Sequence, residues 1–429
     1  LALKQELNKN TVILIIVAAL GYFVDIYDLI LFNVVKKESL IALGISDFEV
    51  IKSTSITLFN WQMGGMLLGG ILWGILGDKK GRIKVLFGSI LMYSAANMAN
   101  AFVTNTDAYA FVRFIAGIGL AGELGAGITL VSEVMSKENR GYGTMIIVTF
   151  GALGAVLAAV VGGDGHAIRD YIQNTFEISL QNWQVAYLVG GLLGLMLLML
   201  RIGTLESGMF KSLAKHETKK GDFLALFKQK KIFKTYLNCI LIGLPVWYAV
   251  SILVALAEDF ASPEILNVSG NVINGQAVMY AYLGLSAGDL LSGLLSQWWR
   301  SRKKVVLLYL ILTMVLVLLY LFTTSGQSAQ YFYMICFCIG IATGYWALFV
   351  SIASEQFGTN IRSTVTTTVP NFVRGAVIPI TAGFKLFEAY LGSVNSALIM
   401  GVICVGLAMY ALKGLDETFA KDLDYIETL

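Results

Sequence analysis

An all-α membrane protein with twelve transmembrane helices in two pseudo-symmetric six-helix bundles is the fold this sequence predicts, and three observations predict it. The 429 residues are 57% hydrophobic and 14% charged, with a mean hydropathy of +0.73, far above that of a soluble domain of this length. Apolar runs recur that can cross about 30 Å of hydrocarbon, which takes about 20 helical residues. Basic residues gather in alternate connections between those runs, the pattern that sets orientation in a bilayer. Four prolines against 44 glycines suit long helices packed closely through small residues. The alternating ten-residue segments of a β-barrel do not occur.

Taken in order, the spans are expected near 11–34, 54–76, 83–103, 108–132, 144–163, 183–203, 236–257, 275–297, 304–323, 330–353, 365–391 and 394–413. The first run carries acids and has no small-residue cleavage site after it, so it is expected to be a span and not a cleaved leader. Connections after the even-numbered spans hold Lys79, Lys80, Arg82 and Lys84, then Lys137 and Arg140, then nine basic residues from Arg201 to Lys234, then Arg300, Arg302, Lys303 and Lys304, then Arg362. The opposite connections hold Lys36, Lys37, Lys52 and Arg169. Both termini are therefore expected in the cytoplasm, with the protein in the inner membrane of a bacterium.

The long charged connection divides the chain into an N-terminal bundle (1–203), a cytoplasmic linker (204–235) and a C-terminal bundle (236–429). Within the linker, "FLALFKQKKIF" reads as an amphipathic stretch on the membrane surface. Gly65, Gly69 and Gly74 recur 219 residues later as Gly284, Gly288 and Gly293. Ser132-Glu133 and Arg140 recur 222 residues later as Ser354-Glu355 and Arg362. Duplication of a six-helix unit explains both.

The run "GDKKGRIK" (Gly77 to Lys84) after a glycine-rich second span resembles the signature loop of the major facilitator superfamily. "RFIAGIGLAGELGAG" (Arg113 to Gly127) is similar to that superfamily's fourth-helix motif, and "SEVMSKENRG" (Ser132 to Gly141) to its acidic-to-arginine loop. "TLESGMF" and "LDETFAKDL" resemble its half-ending acidic motifs. The resemblance implies a cytoplasmic gate in which Asp78, Arg82, Glu133 and Arg140 form a charge network, with Glu355 and Arg362 as the second half's counterpart. Gln297 stands near the position that repeats Asp78, which implies a weaker second copy. The plainer alternative is loop charge that only sets topology. "GYFVDIYDLILF" (Gly21 to Phe32) resembles the Asp-x-x-Asp first helix of aromatic-acid and phosphate symporters, and the "AGE" at Glu123 the Gly-Gly-Glu of metabolite:proton symporters.

Charges inside the bilayer cost about 2.5–3.5 kcal/mol or more, so each needs a partner or a water-filled path. Asp28, six residues from the outer end of the first span, lies about 9 Å deep at about 1.5 Å per residue. Arg113, five residues into the fourth span, lies at a similar level, so an Asp28–Arg113 pair is expected, with Asp25 one turn deeper. Glu123, near the middle of the fourth span among Gly122, Gly125 and Gly127, has no basic residue nearby in sequence. Desolvated carboxylates favour the protonated form, as a proton carrier requires, and Asp25, Asp28 and Glu123 are the candidate proton-coupling set. A static ion pair that only pins two helices is the alternative for Asp28.

Arg374 lies near mid-depth in "VPNFVRGAVIP"; its charge is permanent and its fork fits a carboxylate or phosphate. It is the candidate anion-binding residue, with Arg113 beside it as a second basic candidate. Trp247 and Tyr248 by Pro245, and Tyr345 and Trp346 by Gly344, are candidate substrate contacts or plain packing. Asp289 is an alternative partner for Arg374. Lys385 and Glu388, three residues apart near an outer end, are expected to pair with each other.

These readings point to a secondary transporter that imports a small organic anion with protons, a monomer in the lipid bilayer with no cofactor, no metal and no nucleic-acid partner. The chain has no GxxxxGK[ST] loop, so a gradient is the expected energy source. Sodium coupling, export by proton antiport, and carriage of a zwitterion or metal chelate remain open. A membrane-embedded enzyme is disfavoured. Two histidines (His166, His216) and four dispersed cysteines (Cys239, Cys336, Cys338, Cys404) supply no nucleophile–base set or metal cluster.

Overall fold

The computed structural model of the chain describes residues 9–421 apart from 81, 126, 129–134, 136–139, 165, 207–222 and 224. The first six spans are Lys9–Ala42, Phe48–Lys80, Arg82–Asn100, Thr106–Leu120 with a continuation past a break at Ala121, Arg140–Asp164 and Asn182–Glu206. The seventh is a broken rod: Lys230–Leu241, then Leu244–Tyr248 with Pro245 in its first turn, then a π-helical turn Ala249–Val254. The eighth and ninth are Asn274–Trp299 and Arg302–Thr323. The tenth is split into Ala329–Thr343 and Trp346–Glu355, and the eleventh into Thr359–Gly375 and the start of Val377–Lys413. Gly392, at φ 75°, turns that last helix into the twelfth span, a backbone angle open to glycine. Nine stretches among the described residues are long and apolar enough by composition to cross a membrane; one, Thr364–Lys413, holds the last two spans, and the second and third spans are not among the nine.

Helix ends are set locally. Asn105 accepts a hydrogen bond from the Ala108 N–H at 2.8 Å, and Ser301 and Ser328 cap the ninth and tenth spans in the same way, each satisfying a donor that the first turn leaves unpaired. The close packing is a property of the repeated glycines. A Cβ on Gly65 or Gly69 would run into the carbonyls of Phe114 or Ile118 on the fourth span, and one on Gly284 or Gly288 into those of Phe337 or Ile341 on the tenth. Gly117 meets the Gln62 carbonyl as Gly340 meets that of Ala281. The same backbone-to-backbone contact is thus built twice, which is the physical content of the sequence repeat. The two bundles meet where the fifth span packs on the eighth and the second on the eleventh.

The linker differs from a helix resting freely on the membrane surface. Its described part includes the short helix Ala225–Lys228, Leu226 is fully buried, and the Phe223 ring lies 6.3 Å from that of Phe372 on the eleventh span. The four cysteines are unpaired, with Cys338 half-buried and the other three buried.

Candidate functional site

The centre of the seam is charged. Asp25 on the first span and Arg374 on the eleventh are 0% and 1% exposed. Arg374 Nη2 lies 3.6 Å from Asp25 Oδ2, a charge contact just beyond hydrogen-bond length. Among the described residues, neither oxygen of Asp25 accepts a hydrogen bond, and Nε and Nη2 of Arg374 donate none. The guanidinium carbon stands 5.8 Å and 5.9 Å from the ring centres of Trp247 and Trp346, within the range of cation–π attraction. Arg374 Nη1 reaches Asn371 Oδ1 at 3.5 Å, and Asn371 Nδ2 donates at 2.8 Å to the Ala121 carbonyl, at the break in the fourth span. The central cation is therefore tied by two hydrogen bonds to the backbone of the opposite half.

Beside the pair is a small cavity, about 20 Å³ measured to the centre of a water molecule, room for about one water. Its walls come from both halves: Tyr22 and Ile26 on the first span, Ala152 on the fifth, Trp247 on the seventh, Tyr282 on the eighth and Trp346 on the tenth. Trp247 comes from the short helix opened by Pro245, and Trp346 from the restart of the tenth span after Gly344. Broken helices at membrane depth are tolerated where they line a cavity.

Asp289 is not the partner of Arg374. Its Oδ1 accepts from the Ala347 N–H at 2.9 Å, so it caps the restarted tenth span, where a carboxylate is favoured by the helix dipole. The expected Asp28–Arg113 pair is also absent. Arg113 bonds Gln62 and, at 3.0 Å, the Tyr187 hydroxyl, and its guanidinium lies 3.8 Å over the Phe32 ring. That places it in a polar knot inside the first bundle, away from the cavity walls. Asp28 faces Gly190 on the sixth span, with Asn97 of the third beside it. Asp28 and Arg113 lie on helix faces that do not meet.

Glu123 has a strong base after all: Arg201 holds it bidentately, Nη1 to Oε2 at 2.9 Å and Nη2 to Oε1, with both side chains buried. Arg201 is counted by sequence among the basic residues after the sixth span, but that span continues to Glu206, and its side chain is buried. Gly21 makes room for the pair, since a Cβ there would meet both side chains. Tyr248 and Tyr345 are packing residues in this state, donating to the Ala397 carbonyl at 2.6 Å and the Ile242 carbonyl at 2.9 Å.

Among the described residues, contacts join the two halves toward both ends of the seam. At the end away from the linker Lys37 pairs with Glu258, Lys52 with Glu388 at 2.9 Å, and Asn60 donates to Thr381 at 2.9 Å, each contact joining the two halves. Lys385 and Glu388 therefore do not pair with each other; Lys385 lies 3.4 Å from Ser53 and Glu388 takes Lys52. Toward the linker end Gly70 rests on Asn371 and Gly125 on Thr367. Glu355 is held by Arg302 through bonds of 2.7 Å and 2.8 Å, and Arg362 donates to the carbonyls of Ser354 and Phe357 at 3.2 Å. Glu133 lies outside the described residues, and Asp78, Arg82 and Arg140 are described in their backbone alone.

Sequence reasoning missed Asn371, Tyr22, Tyr282, Arg201 and Arg302 as site or gate residues. Asn371 carried a signal, an amide one turn before a mid-membrane arginine.

A family model described as Major Facilitator Superfamily matches residues 18–382. The chain is 28% identical over 363 residues to the 3-(3-hydroxy-phenyl)propionate transporter of Escherichia coli, covering 83% of each chain. It is 24% identical over 411 residues to the gentisate transporter of Corynebacterium glutamicum, covering 92% of this chain and 86% of that one. Among solved structures, the MFS proton:xylose symporter XylE bound to 6-bromo-6-deoxy-D-glucose superposes with a TM-score of 0.68 at 15% identity, covering 96% and 97% of the two chains. At that identity it bears on the fold alone.

Proposed function

The chain belongs to the Major Facilitator Superfamily and is a multi-pass membrane transporter; on that premise we propose that it imports small aromatic carboxylates together with protons by alternating access. One observation carries the reading: the Asp25–Arg374 pair, one residue from each half, in contact at 3.6 Å beside Trp247 and Trp346. A buried ion pair is tolerable because its charges cancel, and removing either charge alone is costly. A proton on Asp25 leaves the guanidinium without a counter-ion, and a substrate carboxylate restores it. The proton and the anion enter together, and the net charge of the site does not change. The two indoles supply flat apolar surface for a ring. Relatives that transport 3-(3-hydroxy-phenyl)propionate and gentisate, both aromatic acids, support the substrate class.

Protonation of Asp25 loosens the ionic contact at the middle of the seam, and loss of the Arg374–Asn371–Ala121 chain would free the cytoplasmic side. Glu123, neutralised by Arg201 within one bundle, serves as a structural charge in this scheme. We further place the protein, as a monomer, in a bacterial inner membrane with both termini cytoplasmic. The bundles 1–203 and 236–429 move as units about the linker 204–235. The test is uptake by purified protein in sealed vesicles. An inward proton gradient should drive accumulation of an aromatic carboxylate such as 3-hydroxybenzoate, and Asp25→Asn should abolish accumulation while keeping substrate exchange. Accumulation by Asp25→Asn at the wild-type level removes Asp25 from the coupling role.

A further inference from the structure

The tenth span restarts at Trp346, and the Asp289 carboxylate fixes that first turn through the Ala347 N–H. Trp346 is thereby held on the cavity wall, 3% exposed, with its ring centre 4.6 Å from that of Phe349. Its indole Nε1 has no hydrogen-bond partner among the described residues. Buried polar atoms are rarely left unpaired, and an indole N–H can only donate. The ring centre of the same residue lies 5.9 Å from the guanidinium assigned to the carboxylate, so the unpaired donor and the anion site are close enough for one aromatic acid to reach both. Much of the remaining wall is apolar: Ile26, Ala152, Val250 and Leu285 offer no side-chain hydrogen bond. Tyr22 and Tyr282 are also on the wall, but a hydroxyl donates or accepts as required and discriminates little.

We propose that Trp346 Nε1 donates to an acceptor on the ring of the carried acid, a ring hydroxyl or a pyridine-type nitrogen, so that the carrier selects acceptor-bearing aromatic carboxylates over unsubstituted ones. This rests on the aromatic-acid reading above. A ligand without the acceptor leaves the buried donor unpaired in the complex, which is the condition under which a site rejects an analogue. Ring size alone would favour the methyl group, because apolar walls gain from a methyl and burying an unpaired hydroxyl of similar volume is costly.

The experiment measures binding of benzoate, 3-methylbenzoate, 3-hydroxybenzoate and nicotinate to the purified full chain at one pH. The two acceptor-bearing acids should bind at least about tenfold more tightly than the other two. Trp346→Phe should lose more affinity for 3-hydroxybenzoate and nicotinate than for benzoate, shrinking their advantage to below about threefold. If that variant does not fold, the wild-type series decides by itself: 3-methylbenzoate binding as tightly as 3-hydroxybenzoate and nicotinate overturns the proposal. So does an unchanged preference in a folded Trp346→Phe. If none of the four acids binds, the aromatic-acid reading fails and this inference with it; if all four bind alike, only the inference fails.

Discussion

Asp25 and Arg374 come from opposite halves of the molecule, meet at 3.6 Å, and are each at most 1% exposed. Neither charge has another opposite charge in contact with it among the described residues. Anything that neutralises one must therefore be matched by something that compensates the other, which is what coupling a proton to an anion requires.

Arg374→Ala should destabilise the protein by about 3–5 kcal/mol, because it leaves the Asp25 carboxylate buried and uncompensated. Adding Asp25→Asn should recover most of that loss, whereas adding Asp289→Asn should not. Thermal unfolding of the single and double variants in detergent measures both. Rescue by Asp289→Asn in place of Asp25→Asn would restore Asp289 as the arginine's partner.

Glu123→Gln should lower stability, by about 1–3 kcal/mol, since it removes one charge of the buried bidentate pair with Arg201. Protein that does fold should still accumulate substrate against a gradient. Complete uncoupling in a well-folded Glu123→Gln would return Glu123 to the proton path.

At the end of the seam away from the linker, which the proposed orientation makes the outer face, the N-terminal half supplies lysines and the C-terminal half acids. Lys52→Glu should bias the carrier toward the outward-open state by placing like charges against each other, and Glu388→Lys should do the same. The charge-swapped double variant should return toward the parent. Labelling of a cysteine introduced at Thr381, beneath this latch, reads the opening. Equal labelling in all four proteins would make the pairs surface contacts of little consequence, as many exposed pairs are.

The segment after the twelfth span carries a pH-dependent clasp. Burial raises the Glu417 carboxyl, but hydrogen bonds from Ser301 and the N–H groups of Arg302, Phe419 and Lys303 outweigh it and hold the group below its ordinary range. A depressed carboxylate contributes stability above its unfolded value and loses it as pH falls through the folded one. Acidification below the usual glutamate range should therefore loosen residues 415–419 from the ninth span, seen as faster amide exchange there. Glu417→Gln should show the faster exchange already at neutral pH.

Much of the fold was legible because hydropathy and charge spacing act along the chain. The twelve spans, the repeated glycines and the burial of Arg374 within a span all follow from one-dimensional pattern. Partners were not legible, because depth arithmetic gives the level of a residue but not the face of the helix it occupies. Asp25, Asp28 and Asp289 are all plausible partners by level; only azimuth separates the one that meets Arg374 from the one against Gly190 and the one capping Trp346. Arg201 was counted with the basic residues that follow the sixth span, although it falls inside 183–203, and its helix continues to Glu206. Lys385 and Glu388 have the right spacing for a helical pair, but contacts across the seam to Ser53 and Lys52 take their place.

The most direct test of the central claim is a count of protons. Purified protein in weakly buffered detergent solution, near the pH at which it binds an aromatic carboxylate, should take up about one proton for each anion bound. Asp25→Asn should bind the same anion with no proton uptake, because its neutral side chain already leaves Arg374 free. Anion binding by the parent without proton uptake, or uptake that persists unchanged in Asp25→Asn, would contradict the account.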